Sequence, residues 1–269
     1  MPRSYCPASR RDPPAPAELT CGVAYWALKA LLSPLMLALW PVSVEGRENV
    51  SRRGPVIIAA NHTSFCDSLF LPLALRRRVT FVAKAEYFDS WRTSWFFTAA
   101  GQIPMRREGG SASEGALAAA RDVLSGGGVL GIYPEGTRSP DGRLYRGHTG
   151  VARLALGTGA ALVPVGILGT TRVQPVGAKV MRPFHRVTIR FGRPLDLDRY
   201  SSTDEADPLL ARQVTDELMF EIRALSGQEY VDRYAKRQGS DGRPGGGPEV
   251  GPVSLAGPIS TAAPRTEAI

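Results

Sequence analysis

The chain has 269 residues, 43% of them apolar, enough to bury one large α/β core or two small ones. Lys and Arg number 33 against 25 Asp and Glu, a net charge of +8, which favours anionic partners: lipid headgroups, phosphorylated substrates or nucleic acid. Three cysteines, Cys6, Cys21 and Cys66, lack any CxxC spacing; they argue against a disulfide framework or a zinc site and fit a reducing compartment.

Residues 1–20 are rich in Pro and charge and read as unstructured. Val23 to Val42, "VAYWALKALLSPLMLALWPV", is long enough to cross a bilayer. Lys29 and Pro34 interrupt it, however, and Trp26 and Trp40 stand near its ends like interface anchors. Arginines lie on both sides and set no orientation. Residues 21–45 are therefore expected to be a membrane-associated helical segment, a kinked helix pair embedded in one leaflet. A helix packed on the protein's own core is the alternative.

From residue 54 onward short apolar runs alternate with helical segments. Strands are expected at 55–60, 79–84, 128–133, 161–168 and 186–192. Helices are expected at 113–124, at 151–156, and from Asp207-Pro208, an N-cap followed by proline, to Leu225 with Gly227 beyond. Pro164 in "ALVPVGIL" suggests an edge or irregular strand. The alternation implies one α/β domain over 46–237, with a largely parallel mixed sheet flanked by helices. Residues 238–269 are Gly/Pro-rich and read as a disordered tail.

In open α/β sheets ligands gather at the carboxyl ends of the strands, which directs attention to three loops. After "VIIAA" comes Asn61-His62, with Ser64, Cys66 and Asp67 close behind. Five residues apart on one helix, His62 and Asp67 would diverge by roughly 140°. They meet only if His62 sits in the loop and a helix starts between them, with Ser64 as its N-cap. Ser64-x-x-Asp67 is also a capping-box pattern, so Asp67 either serves the helix amides or orients His62 as a base. Both readings stand on these residues alone. No G-x-S-x-G elbow exists, so a serine hydrolase lacks its nucleophile, and Cys66 reads as packing. "YPEGTRS", Tyr133 to Ser139, follows an apolar strand, and Arg138 and Thr137 there suit a phosphate; an ion-paired turn is the alternative. "GQIPMRR" offers Arg106 and Arg107 after a turn, and Arg76-Arg77-Arg78 reads as a solvated turn. His148 and His185 lack ligand spacing, and no metal site is expected.

Together these residues resemble the glycerolipid acyltransferase family, that of the 1-acylglycerol-3-phosphate acyltransferases. Asn61, His62, Ser64 and Asp67 match its N-H-x-S-x-x-D motif, and Gly101, Ile103 and Arg107 its Gly-x-Ile turn ending in Arg. Tyr133 to Ser139 is its complete [FY]-P-E-G-T-R-S motif, and Val163 to Val165 its V-P-[VI] segment. Pro104 and Arg106 stand where an aromatic and an acidic residue are the common pattern. The resemblance implies that His62 is general base on the free hydroxyl of a lysophospholipid, oriented by Asp67. Arg107, Glu135, Gly136, Thr137 and Arg138 would bind the acceptor's glycerol phosphate, and Val163-Pro164 would line the site. It implies acyl-CoA or acyl carrier protein as co-substrate with no further cofactor, lysophosphatidic acid as acceptor, and the cytoplasmic face of the plasma membrane as location. Another lysophospholipid or alcohol acceptor, a thioesterase or lipase, and a non-catalytic lipid-binding module are the competing readings; nucleic-acid binding rests on net charge alone.

Overall fold

Five consecutive apolar residues, Val56 to Ala60, are all fully buried, which requires helices on both faces of the sheet that contains them. The computed structural model describes residues 16–84, 98, 102–105, 110–178, 180–200 and 207–236, within one compact unit ending at Arg237. Among the described residues seven strands form the main sheet: β1 (Val42–Glu45), β2 (Val56–Ala60), β3 (Val79–Lys84), β4 (Ile103–Met105), β5 (Val129–Ile132), β7 (Ala161–Leu168) and β8 (Val187–Phe191). Their spatial order is β1-β8-β7-β2-β5-β3-β4, and every pair is parallel except β7–β8. A separate short parallel pair joins β6 (Leu144–Tyr145) to β9 (Tyr230–Val231).

The strand period of two sorts the core. Val56, Ile58 and Ala60 of β2 face a cluster completed by Met36 of α1 (Pro16–Leu39), Trp40 just beyond it, and Phe70, Leu71 and Ala74 of α2 (Asp67–Ala74). Ile57 and Ala59 face the other, made with α3 (Gly110–Ser125), α4 (Gly150–Thr158) and, beyond the single turn α5 (Thr170–Val173), α6 (Pro208–Ser226). Each Val, Ile, Leu, Met or Phe side chain among these contributes about 1.5–3 kcal/mol by leaving water, so a charge on either face of β2 would break the layer. Helix α6 has the ends its sequence announces: the Asp207 carboxylate accepts from the Leu209 amide, and Gly227 closes it at φ 70°.

Several expectations are corrected. Residues 16–20, read as unstructured, are the first turns of α1, with Pro16 at a position where no N–H is needed. The rest of the two expected disordered ends, 1–15 and 238–269, lies outside the described residues. In place of a kinked helix pair, one helix runs through Pro34. Among the described residues no helix is long and apolar enough to cross a membrane.

Pro164 lies in the central strand β7, not at an edge. Its carbonyl accepts from Gly192 N at 2.8 Å, so its nitrogen faces the point where β8 ends, and the pairing with β2 is untouched. Gly192 has no side chain because a Cβ there would stand 2.8 Å from the proline ring. Ile103–Met105, read as a turn, is the edge strand β4, where a proline is tolerated. Arg77, read as part of a solvated turn, donates to the carbonyls of Ser51, Gly54 and Gly127 at 2.6–2.8 Å and ties three turns together.

Candidate active site

The site is built where β2 and β5 end. Asn61 Oδ1 accepts from the Ile167 amide at 2.7 Å, and its Nδ2 donates to the Ile167 carbonyl at 2.9 Å and to Gln228 Oε1 at 2.8 Å. This side chain continues the β2–β7 ladder past the last backbone pair and fixes where His62 leaves the sheet. The His62 amide then donates to Glu135 Oε2 at 3.0 Å, and its carbonyl accepts from Ser139 N at 2.7 Å. The 61–67 and 133–139 loops are thus zipped together by the histidine's own backbone.

Asp67 opens α2, and its carboxylate folds back over the preceding turn. Oδ2 accepts from the Thr63 and Ser64 amides at 2.8 Å each and lies 3.0 Å from His62 Nδ1. Both readings of Asp67 hold at once: one oxygen caps the turn and holds the imidazole. The contact favours a proton on Nδ1 and leaves Nε2 as the acceptor, which has no partner among the described residues. Asp67 is fully buried, and the His62 side chain keeps 16% exposure, so the pair opens to solvent only through the imidazole.

Ser64 is not the N-cap. The helix starts three residues later, after a turn closed by Asp67 N onto Ser64 O at 3.2 Å. Because Asp67 has already satisfied the local amides, the Ser64 hydroxyl donates instead to the Gln174 carbonyl at 2.9 Å.

Glu135 takes a different post from the one expected of it. It is buried, Oε1 accepts from the Tyr145 amide at 2.9 Å, and Oε2 is held by His62 N, so both oxygens face backbone rather than a ligand. Burial pushes its carboxyl up to about 7 against the opposing pull of the two amides. Gly136 closes the turn at φ 69°, its amide donating to Tyr133 O at 2.9 Å, and a Cβ there would press on the His148 ring at 3.0 Å. Thr137 and Arg138 are half-buried, and among the described residues no side-chain partner holds either. The structure therefore brings His62, Asp67, Gly136, Thr137 and Arg138 to one strand-end cluster. Arg107, together with Gly101 and Arg106, lies outside the described residues. Val163 is buried in the sheet core rather than lining an opening.

Cys66 is fully buried against Ser64 Oγ at 3.2 Å, and burial pushes its thiol up to about 11, which keeps it a neutral packing group. Two participants had no role assigned from the sequence. Tyr133 stacks on His62, and Gln228 grips Asn61 while its Nε2 donates to the Gly142 carbonyl at 2.6 Å. Asn61 and Tyr133 stood inside recognisable motifs, whereas nothing local marks Gln228, 167 residues from its partner.

A family model described as Acyltransferase matches residues 41–168, from the start of β1 to the end of β7, and so contains the whole cluster. The match takes in just under half of the chain, and over that stretch the chain is similar to the acyltransferase family. It is 29% identical over 157 residues to the chloroplastic 1-acyl-sn-glycerol-3-phosphate acyltransferase LPAT1 of Arabidopsis thaliana, covering 58% of this chain and 44% of that one. With the chloroplastic BAT2 of Brassica napus, of the same printed activity, it shares 27% identity over 58% of this chain and 45% of that one. The chain thus spans under half the length of these curated relatives. Among solved structures it is similar to the 1-acyl-sn-glycerophosphate acyltransferase PlsC from Thermotoga maritima, at TM-score 0.58 and 25% identity over 77% of this chain and 81% of that one. The matched stretch contains the strand-end cluster of His62 and Asp67 beside the loop that carries Thr137 and Arg138.

Proposed function

We propose that the protein is an O-acyltransferase that moves a fatty acyl group from an acyl thioester, of CoA or acyl carrier protein, to the free hydroxyl of lysophosphatidic acid, giving phosphatidic acid. The observation that carries this reading is the His62–Asp67 contact beside a loop where, among the described residues, no side-chain partner holds Thr137 or Arg138. The acceptor chemistry follows the printed activity of the relatives.

In this mechanism His62 Nε2 takes the proton of the acceptor hydroxyl as its oxygen attacks the thioester carbonyl. The tetrahedral adduct collapses, the C–S bond breaks, and the imidazolium returns the proton to the leaving thiolate, so no acyl-enzyme forms. Asp67 stabilises the imidazolium and keeps the tautomer. Such a base is typically worth about 10²–10⁴-fold, and holding the two substrates together supplies much of the rest. Arg138, with Thr137, the turn amides and Arg107, holds the phosphate. Glu135 acts one step removed, by holding the His62 backbone.

A thioesterase or lipase using Cys66 is the weaker reading, since that thiol is buried and neutral. The membrane role assigned to α1 is supported by its outward face, where Val23, Trp26, Leu31, Leu35 and Leu37 are exposed. Lys29 is turned inward onto the Pro72 and Leu75 carbonyls at the end of α2. The helix lies in the interface, on the cytoplasmic leaflet, rather than across it. Labelled acyl-CoA offered with a panel of lysophospholipids tests the function: transfer restricted to lysophosphatidic acid supports it, and release of free fatty acid alone overturns it.

A further inference from the structure

The segment following α5 is fastened at both ends and yet presents its apolar side chains to solvent. The Arg182 amide donates to the Val173 carbonyl at 2.7 Å, Phe184 N donates to Leu39 O at 2.7 Å, and Trp40 Nε1 donates to Arg182 O at 2.7 Å. Met181 packs on the core cluster behind it. Between these ties Val176 is 48% exposed, Val180 76% and Phe184 73%. Phe184 is also the one non-glycine among the described residues at positive φ, 64°, a conformation unfavourable for a bulky side chain. A fixed backbone that holds an aromatic outward in an unfavourable conformation points to a use for that surface.

The chemistry of the surroundings selects the occupant. Residues 169–187, "GTTRVQPVGAKVMRPFHRV", contain Arg172, Lys179, Arg182 and Arg186 and no acidic residue. Arg172, Arg182 and Arg186 are exposed. The segment meets the last turn of α1, whose exposed residues from position 23 onward are all apolar. At its other end it meets the site itself: Ser64 Oγ donates to Gln174 O, and Thr63 Oγ1 lies 3.1 Å from Thr170 Oγ1. Apolar side chains set among cations, with no acid to repel an anion, are complementary to an anionic bilayer surface. They are not complementary to a second copy of this chain, whose matching face would carry the same charge.

We propose that the described residues 176–178 and 180–184 form a second membrane contact beside α1, in which Val180 and Phe184 enter the headgroup layer of an anionic leaflet and Arg182 and Arg186 engage its phosphates. The proposal rests on the membrane part of the reading above and extends it: the bilayer is held on both sides of the α1 terminus, next to the loop that carries His62, where an acceptor lipid would arrive.

Flotation with vesicles of phosphatidylcholine alone, or with three parts in ten phosphatidylglycerol, tests it on the full chain. Wild type should bind the anionic vesicles, and Val180→Asp/Phe184→Asp should lower that affinity at least about tenfold. Arg182→Ala/Arg186→Ala should lower it by roughly 30-fold, about fivefold per cation at such a surface, and should flatten its salt dependence. Acyl transfer to lysophosphatidic acid in detergent micelles should stay at the wild-type rate in both. If the aspartate variant unfolds, the exposed arginine pair carries the test. Affinity within twofold of wild type for the arginine variant, or variants that change self-association rather than flotation, overturns the second contact. Wild type that fails to bind vesicles overturns the membrane reading, and wild type inactive in micelles overturns the function instead.

Discussion

Tyr133 lies face to face with His62, ring centres 3.9 Å apart and planes 10° from parallel. Its hydroxyl meets Ser68 Oγ of α2 at 2.9 Å, and burial pushes the phenol well above its usual range, so it stays neutral. The imidazole is thereby held on two sides, by Asp67 in its plane and by an aromatic ring against its face. A stacked pair of this kind is worth about 0.5–1.5 kcal/mol. Tyr133→Leu should lower kcat roughly 2–10-fold with little change in KM, while Tyr133→Phe keeps the stack and most of the rate. Steady-state kinetics of the two variants check this.

Glu135 makes stability depend on pH. Its carboxyl sits near 7 in the folded chain against an ordinary 4.5, so between those values the native state binds more protons than the unfolded one. Stability is then fully present below about 4.5 and is lost as pH rises through about 7, by an amount on the order of a few kcal/mol. Glu135→Gln sets an NH₂ against one of the two backbone amides, should cost about 1–3 kcal/mol at low pH, and should remove that slope. Urea unfolding of both proteins from pH 4.5 to 8 reads the difference.

Arg138 should act in binding rather than chemistry. Removing a charge-assisted contact to a phosphate costs about 1.5–3 kcal/mol, so Arg138→Ala should raise KM for an anionic acceptor roughly 10–150-fold and leave kcat nearly unchanged. Arg138→Lys should recover part of the loss. A matching fall in kcat would place this residue in the chemical step.

Cys66 should be inert. Held neutral and away from water, it should resist alkylation until the protein unfolds, and Cys66→Ala should keep acyl transfer while losing about 1–2 kcal/mol of stability from the small cavity. Thiol trapping under native and denaturing conditions, with an activity assay, checks both parts.

The fold was legible where pattern and period agree. The buried run of β2, the alternation of strands with helices, and the Asp207 and Gly227 ends of α6 all follow from local residue types. Pro164 misled because its meaning depends on where β8 ends, a fact written at Gly192 rather than beside the proline. Lys29 could be read as an interruption of the apolar run, but not its partners, the carbonyls of Pro72 and Leu75, which lie more than 40 residues away. In the site, the His62–Asp67 pairing could be argued from the need for a helix start between them. Ser64 could not, since its partner Gln174 is 110 residues distant. The inward turn of Glu135 was hidden for the same reason: the amides it accepts from belong to residues 62 and 145.

We infer that His62, oriented by Asp67, deprotonates the acceptor hydroxyl for direct transfer. The most direct test of this mechanism is single-turnover transfer from labelled acyl-CoA to lysophosphatidic acid by wild type, His62→Ala, Asp67→Asn and Cys66→Ala, each confirmed as folded. The first two variants should lose about 10²–10⁴-fold in rate, Cys66→Ala should keep the wild-type rate, and no label should stay on the protein. Transfer undiminished in His62→Ala, or label trapped covalently on the chain, would contradict this mechanism.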